Sequence, residues 1–398
     1  MPKPRIAFVN THPIQYFAPM YRYFATSGEV DVSAVYLSDY SLRGSHDAGF
    51  GQDVRWDVDL LSGYRPIFAP GAERRGEPRG FLSMLAPGVA DIMRRELFDA
   101  VIVHGHTPAA LLLAARAARR SGSRVFFRGE THLGLSRSRL KASLRRPVIG
   151  SLYAWADGVL AIGQANAAFY RSLGVQPERI FRMPYTIDNA RFAESSRLTP
   201  PQREEERRAL GVHGDEPLIL FAAKLQPRKR PLDLVRAASR LAGEGLRFHL
   251  AFVGSGELDG EARQLASELG LSSVTFAGFV NQSRLPAIYG ASDVFVLPSE
   301  NEPWGLAVNE AMAAGLPVVI SSELGCAPDL VENGVNGWTY PSGDLRGLTD
   351  ALRRVIIDPS FRRQMGEASR TRIAHWSYAE ALAGLGEALA ATGGRRSA

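Results

Sequence analysis

The sequence predicts an α/β protein built from two doubly wound, Rossmann-like domains, each a parallel sheet covered by helices on both faces. Three observations predict it. A chain of 398 residues is too long for one ordinary core, so two domains are the default. Short apolar runs rich in Val, Ile and Phe alternate with helix-length periodic segments along the whole chain. A polar stretch divides the two series: Pro200-Pro201 followed by Gln202-Arg-Glu-Glu-Glu-Arg-Arg208 and Gly211.

In the first half, residues 5–10 read as a strand, followed by a turn and a helix through Tyr21 and Phe24. Residues 30–37 read as a second strand. Residues 98–103 read as a third, leading through His104-Gly-His106 into an alanine-rich helix over 108–120. Residues 124–128 and 158–162 continue the series. Helices between strands require parallel pairing, and a parallel sheet is buried on both faces.

The second half restarts the pattern. Strands are expected at 217–223, 247–253, 274–277, 293–298 and 318–321, with helices at 231–242, 258–269 and 306–314. Pro231 suits the first turn of a helix, and Gly270 and Gly315 follow the last. The expected domains are residues 1–195 and 196–375. Residues 376–398 form a C-terminal helix and short tail, with the helix packing back on the N-terminal domain. Two facing domains of this kind place their strand C-termini along an interdomain cleft, where open α/β sheets bind ligands.

Composition narrows the function classes. Hydrophobic residues at 45% and charged residues at 22% are ordinary for a globular protein. No apolar run approaches the roughly 20 residues that span a bilayer. Ile6 already opens a strand, which leaves no room for a signal peptide, so a cytoplasmic location is expected. A single cysteine, Cys326, excludes an internal disulfide and reads as a small buried residue rather than a nucleophile. The net charge of +6 fits an anionic partner, but no nucleic-acid motif accompanies it. Arg137, Arg139, Lys141, Arg145 and Arg146 crowd one stretch with Leu135, Leu140 and Leu144. Such a basic amphipathic segment either lies on an anionic membrane or is simply a solvated helix face.

Chemistry concentrates at strand ends of the second half. Lys224 and Lys229 flank a turn before the helix at Pro231, where two ammonium groups and free helix amides can converge on a diphosphate. Gly254-Ser-Gly256 can let backbone approach a ligand closely, although Asp259 breaks a full G-x-G-x-x-G fingerprint. Glu302 falls in a loop and Glu310 in the helix opened by Gly305 and Leu306. The helix amides can bind phosphate, and the carboxylates can accept bonds from sugar and ribose hydroxyls.

The segment Pro298-Ser-Glu-Asn-Glu-Pro-Trp-Gly-Leu-Ala-Val-Asn-Glu-Ala-Met-Ala-Ala-Gly-Leu-Pro-Val-Val319 resembles the signature of family 4 glycosyltransferases, retaining enzymes of the GT-B fold. Glu302 and Glu310, with seven residues between them, match its glutamate pair. Phe221-Ala-Ala-Lys-Leu-Gln-Pro-Arg-Lys229 resembles the family's Gly-Arg-Leu-x-x-x-Lys segment, with Lys224 where arginine is usual. Val253-Gly-Ser-Gly-Glu257 resembles its next turn. Gly278-Phe279-Val280 and the residues 285–289 resemble the parts that hold the nucleotide base. The likeness covers residues 150–376 well and the first 150 loosely.

The resemblance implies a UDP- or GDP-linked sugar as donor, held by Lys224, Lys229, Gly254, Gly256, Phe279, Val280, Glu302, Trp304, Gly305, Leu306 and Glu310. It implies no metal and no other cofactor, because the lysines and the helix supply positive charge to the leaving diphosphate. Lys229 and Glu302 would be catalytic, as would His106, which matches a histidine that the family places near the donor sugar. The first domain would hold the acceptor, a glycan, lipid-linked or small molecule, and His12, Arg128, Glu130 and His132 stand at its strand ends.

Two departures leave the acceptor open. Thr11-His-Pro-Ile-Gln-Tyr16 replaces the family's glycine-rich loop, and Pro184-Tyr-Thr186 stands where many members have Pro-Asn-Gly. Asp57-Val-Asp59 looks like a metal-binding Asp-x-Asp but lies far in sequence from the donor motifs, so it reads as a solvated strand face or an acceptor loop. The expected activity is retaining sugar transfer in polysaccharide or glycoconjugate synthesis. A sugar-nucleotide epimerase of the same fold and a non-catalytic binding homologue are the alternatives.

Overall fold

The computed structural model describes residues 2–47, 49–135 and 139–393. These form two compact units. One contains Met1–Ser45, Val58–Ile187 and Trp376–Ala398; the other contains His46–Asp57 and Asp188–His375.

In chain order, the strands up to residue 182 are β1 (Arg5–Asn10), β2 (Asp31–Tyr36), β3 (Ser45–Asp47), β4 (Gln52–Val54), β5 (Arg65–Phe68), β6 (Ala100–His104), β7 (Arg124–Arg128), β8 (Gly158–Ala161) and β9 (Ile180–Arg182). The first unit's sheet has the order β5-β2-β1-β6-β7-β8-β9, with parallel pairings throughout. Ile6 to Asn10 are all buried, as expected of a strand with helices on both faces. The winding reverses between β1 and β6, so the loops after Asn10 and His104 flank a topological switch point.

The C-terminal helix Tyr378–Ala391 belongs to this first unit. It presses directly on β9: a Cβ added at Gly384 would lie 1.7 Å from the Arg182 carbonyl oxygen. Arg124 donates to the Leu389 carbonyl at 2.6 Å, and the Arg182 guanidinium lies 4.6 Å from the Trp376 ring centroid.

The second unit carries β10 (Leu218–Ala222), β11 (His249–Val253), β12 (Val274–Gly278), β13 (Val294–Leu297), β14 (Val318–Ser321) and β15 (Gly337–Tyr340). Its parallel sheet runs β12-β11-β10-β13-β14-β15, with the switch point between β10 and β13. The loops after these two strands carry Lys224–Lys229 and Glu302–Gly305, so topology brings the two sequence motifs to one crevice. The helix Leu306–Ala314 opens at Gly305 and closes at Gly315, with φ of 100° and 84°. Both are left-handed conformations that glycine adopts without a Cβ clash.

The polar stretch expected to link the domains is helical instead over Pro200–Ala209, and the helix Asn189–Ser195 precedes it. Proline is tolerated in the first helical turn, and Thr199 caps that helix, its amide donating to Gln202 Oε1 at 2.9 Å. Arg207 is buried beneath it, donating to Asp293 Oδ2 at 2.8 Å and to the Glu216 carbonyl at 2.6 Å. These bonds tie the stretch into the second unit. The boundary accordingly falls at Ile187–Asp188, where the sequence places it at 195–196. Asp188 starts the first of the two helices by accepting the Arg191 amide at 3.0 Å.

Candidate active site

At the second unit's switch point, the loop after β10 turns through a short 3-10 helix, Pro227–Lys229, into the helix Pro231–Gly243. Lys229 is 8% exposed and its ammonium bonds to Glu302 Oε2. Arg228 reaches the same oxygen at 3.0 Å. Burial pulls the Lys229 ammonium below the ordinary lysine range, and the Glu302 carboxylate opposes that pull. One carboxylate thus bridges two cations on the facing loop. The loop carrying Glu302 is braced from behind: its carbonyl accepts the Gly325 amide at 3.1 Å, and the Glu300 amide donates to the Arg228 carbonyl at 2.8 Å.

Glu310 sits inside the helix Leu306–Ala314, 2% exposed, and accepts the Tyr289 hydroxyl at 2.8 Å. Trp304, expected to contact donor, is also buried, at 2%, and its indole N–H donates to Asn309 Oδ1 at 2.9 Å. It fixes the loop from the interior. Gly305 and Leu306 open the helix, whose first amides lack partners within it. Cys326 is wholly buried, and burial pushes its thiol up, as its reading as an inert residue requires.

The glycines of the turn after β11 serve a tight approach, to neighbouring backbone. A Cβ at Gly254 would lie 2.1 Å from the Ala223 carbonyl oxygen, and one at Gly256 would lie 2.5 Å from that of Leu225. The turn therefore locks the Lys224 loop in position. Phe279 and Val280 follow β12 and are half-buried. The Phe279 ring meets Phe50 at 4.8 Å and Trp56 at 6.5 Å.

Sequence reasoning missed four residues here. Arg228 adjoins Lys229 in a Pro-Arg-Lys run, and that local charge was a usable signal. Asp47, Phe50 and Trp56 reach the second unit from a segment some 170 or more residues upstream of their partners, and no local pattern announces them. The Lys224 ammonium donates to Asp47 Oδ1 at 2.7 Å and Oδ2 at 2.8 Å, so it does not share Glu302 with Lys229.

In the first unit, the switch-point loops gather polar groups. Asn10 Nδ2 donates to the Tyr21 hydroxyl at 2.9 Å, and that hydroxyl lies 3.1 Å from His104 Nε2. Burial, reinforced by the Arg128 cation, drives His104 well below the usual histidine range and keeps it neutral. His106 Nδ1 lies 3.1 Å from the Tyr153 hydroxyl. Arg128 is 3% exposed, between the rings of Phe17 and Tyr185 at 5.5 and 5.1 Å, and donates to the Pro184 carbonyl at 3.2 Å. Glu130 accepts the Tyr185 hydroxyl at 2.6 Å. His132 is buried, its Nδ1 accepting the Gly134 amide at 3.1 Å.

His12 bonds to the Thr11 hydroxyl at 2.8 Å and the Tyr40 hydroxyl at 3.2 Å, and burial lowers its pKa to about 4. The unfolded chain protonates this group near pH 6.5, so the folded state forgoes a proton between the two values. Its contribution to stability is full above pH 6.5 and is lost as pH falls toward 4. Wild-type protein should lose ~1–3 kcal/mol more than His12→Gln between pH 7 and pH 4.5, read by denaturant unfolding. Parallel pH profiles for the two proteins would refute the burial of a neutral His12.

Asp57 and Asp59 separate. Asp57 accepts the Ser283 amide at 3.1 Å, while Asp59 accepts the Leu61 and Ser62 amides and pairs with Arg22 at 3.1 Å. Both are committed to holding loops. Of the basic run, Arg137 and the side chains from Arg139 to Arg145 lie outside the described residues; Arg146 donates to the Ser172 carbonyl at 3.0 Å. No helix among the described residues is long and apolar enough to cross a membrane.

A family model described as glycosyl transferases group 1 matches residues 202–372, and one described as a glycosyl transferase 4-like domain matches residues 14–186. A GDP-mannose-dependent alpha-(1-6)-phosphatidylinositol monomannoside mannosyltransferase of Mycolicibacterium smegmatis is 30% identical over 330 residues, covering 79% of this chain and 80% of the relative. The chain belongs to the group 1 glycosyltransferases. A D-inositol 3-phosphate glycosyltransferase of Saccharomonospora viridis is 35% identical over 192 residues, 46% of this chain and 44% of the relative. This group 1 glycosyltransferase spans 40% to 46% of the length of the first relatives it matches. Its fold is shared with Anabaena Alr3699/HepE, crystallised with UDP, at a TM-score of 0.74 and 20% identity over 98% of this chain and 99% of that one. That likeness identifies the GT-B class, two parallel α/β units.

Proposed function

We propose that the protein is a retaining glycosyltransferase that moves a sugar from a UDP- or GDP-linked donor to a hydroxyl of a glycan, lipid-linked or small-molecule acceptor. The observation that carries the reading is the Lys229–Glu302–Arg228 cluster at the second unit's switch point, beside the helix that holds Glu310. Open α/β sheets bind their ligands at that place. Family membership supplies the reaction class. The Anabaena neighbour's bound UDP and the mycobacterial relative's GDP-mannose support a nucleoside diphosphate sugar.

In this reading the donor diphosphate enters the positive field of Lys229, Lys224 and the amides of Gly305 and Leu306. Lys229 then leaves Glu302 for phosphate, and Glu302, still held by Arg228, accepts from sugar hydroxyls. The bond from anomeric carbon to phosphate oxygen breaks through an oxocarbenium-like state, and the cations stabilise the charge developing on the departing oxygen. The acceptor oxygen bonds to the same face of that carbon, and its proton passes to the departing phosphate. His106 donates to the sugar or phosphate, and Glu310 accepts from ribose. Lysines and helix amides supply the charge, so this mechanism calls for no metal. The D-inositol 3-phosphate and the phosphatidylinositol monomannoside in the relatives' names support a small polyol or a lipid-linked glycan as acceptor, in keeping with glycoconjugate synthesis.

A thermal-shift panel of UDP, GDP, ADP and dTDP sugars tests the donor class. At a concentration near 100 times Kd, binding adds about 2.7 kcal/mol and should raise Tm by several degrees for one base over the others. No shift with any of the four would sink the reading.

A further inference from the structure

Residues 46–57 leave the N-terminal half of the sequence and pack within the second unit. There, β3 and β4 pair as a two-stranded ribbon. Bonds fasten this strap at both ends. Near its start, the Ser255 hydroxyl donates to the Phe50 carbonyl at 2.7 Å. Near its end, Asn281 Nδ2 donates to the Arg55 carbonyl at 2.7 Å, and Asp57 accepts the Ser283 amide at 3.1 Å. The partners Ser255, Asn281 and Ser283 lie in the loops after β11 and β12, next to the residues that resemble the family's base-holding segment. The strap therefore crosses the donor side of the unit.

Asp47 makes the decisive contact. Its two oxygens take the Lys224 ammonium at 2.7 and 2.8 Å, and its Oδ1 also accepts the amides of Gly49 at 2.8 Å and Phe50 at 3.1 Å. The carboxylate is thus aimed by its own turn. Phe50 closes over the same ammonium, 4.5 Å from nitrogen to ring centroid. Packing is tight: a Cβ at Gly49 would lie 2.7 Å from Lys224 Cδ and 2.9 Å from Gln226 Nε2. An ammonium has three N–H donors, and Asp47 engages two of them. A donor phosphate bonding Lys224 must displace at least part of this pairing, and while Asp47 stays, the anion faces a carboxylate beside the cation it needs.

We propose that Asp47 sets donor affinity by holding on Lys224 the position that a donor phosphate takes. The proposal rests on the donor-site reading above. It adds a competing carboxylate that yields Lys224 on binding and reclaims it as the nucleoside diphosphate leaves.

Calorimetric titration of the full chain with UDP and GDP tests this. Asp47→Asn should bind whichever diphosphate the wild type binds about three- to tenfold more tightly at low salt. That gain should vanish in a Lys224→Met background. Asp47→Ser gives the same readout should the amide variant fail to fold. Unchanged or weaker binding by Asp47→Asn, or an equal gain without Lys224, overturns the proposal alone. If the wild type binds neither diphosphate, the donor-site reading falls and this proposal falls with it.

Discussion

Lys229→Ala should lower kcat/KM for sugar transfer by about 10²- to 10³-fold, the usual cost of removing one preorganised charge from developing negative charge. Two features make this one of the largest effects to expect. Lys229 is buried, so its field acts through little water, and it stands at the switch-point crevice next to Glu302. Removing the ammonium leaves Glu302 still paired with Arg228, at 3.0 Å. That remaining cation limits the structural damage, so the variant should fold with a loss of ~1–3 kcal/mol. The measurement is turnover with the donor found in the thermal-shift panel, alongside Tm. Wild-type turnover in a folded Lys229→Ala protein would remove this lysine from the chemistry. Lys229→Arg should recover only part of the rate, because a planar guanidinium does not reproduce a compact ammonium.

The parts of the fold that were legible in the sequence share one property: their signals are local. The helix Leu306–Ala314 and strand Val318–Ser321 fall where glycine and proline punctuation puts them. The stretch around Pro200 was misread because the same residues that end a helix can begin one. Thr199 with Gln202 was a local capping signal, but the reason the helix holds is Arg207 under it, bonded to Asp293, 86 residues away. The edge strands β5 and β9 are short, and β5 opens Arg-Pro, which reads as a turn. The candidate site divides the same way. Glu302, Glu310 and Lys229 lie in motifs, so the sequence names them. What Lys224 touches is decided by a strap that meets its partners, distant in sequence, only after folding, so Asp47 carries no signal in its own neighbourhood.

Glu310→Ala should weaken donor binding by about 10- to 150-fold, since hydrogen bonds from hydroxyls to a carboxylate contribute about 1.5–3 kcal/mol. Glu310 is 2% exposed on a helix beside the crevice, and Tyr289 occupies one of its oxygens at 2.8 Å. That bond orients the carboxylate, an ionised group with about four acceptor sites. Tyr289→Phe should therefore cost only a few-fold in affinity, by loosening the carboxylate without removing it. Loss of affinity alone does not separate a ribose contact from general damage to the helix. A comparison of UDP or GDP, whichever binds, with its 2′-deoxy and 3′-deoxy analogues does separate them. Wild-type protein should prefer the ribose form over at least one analogue, because a site built to accept from a hydroxyl is left with an unpaired carboxylate when that hydroxyl is missing. In Glu310→Ala there is no carboxylate to leave unpaired, and the preference should disappear. If the variant keeps the wild-type ratio, Glu310 holds Tyr289 and the helix, and some other group reads the ribose.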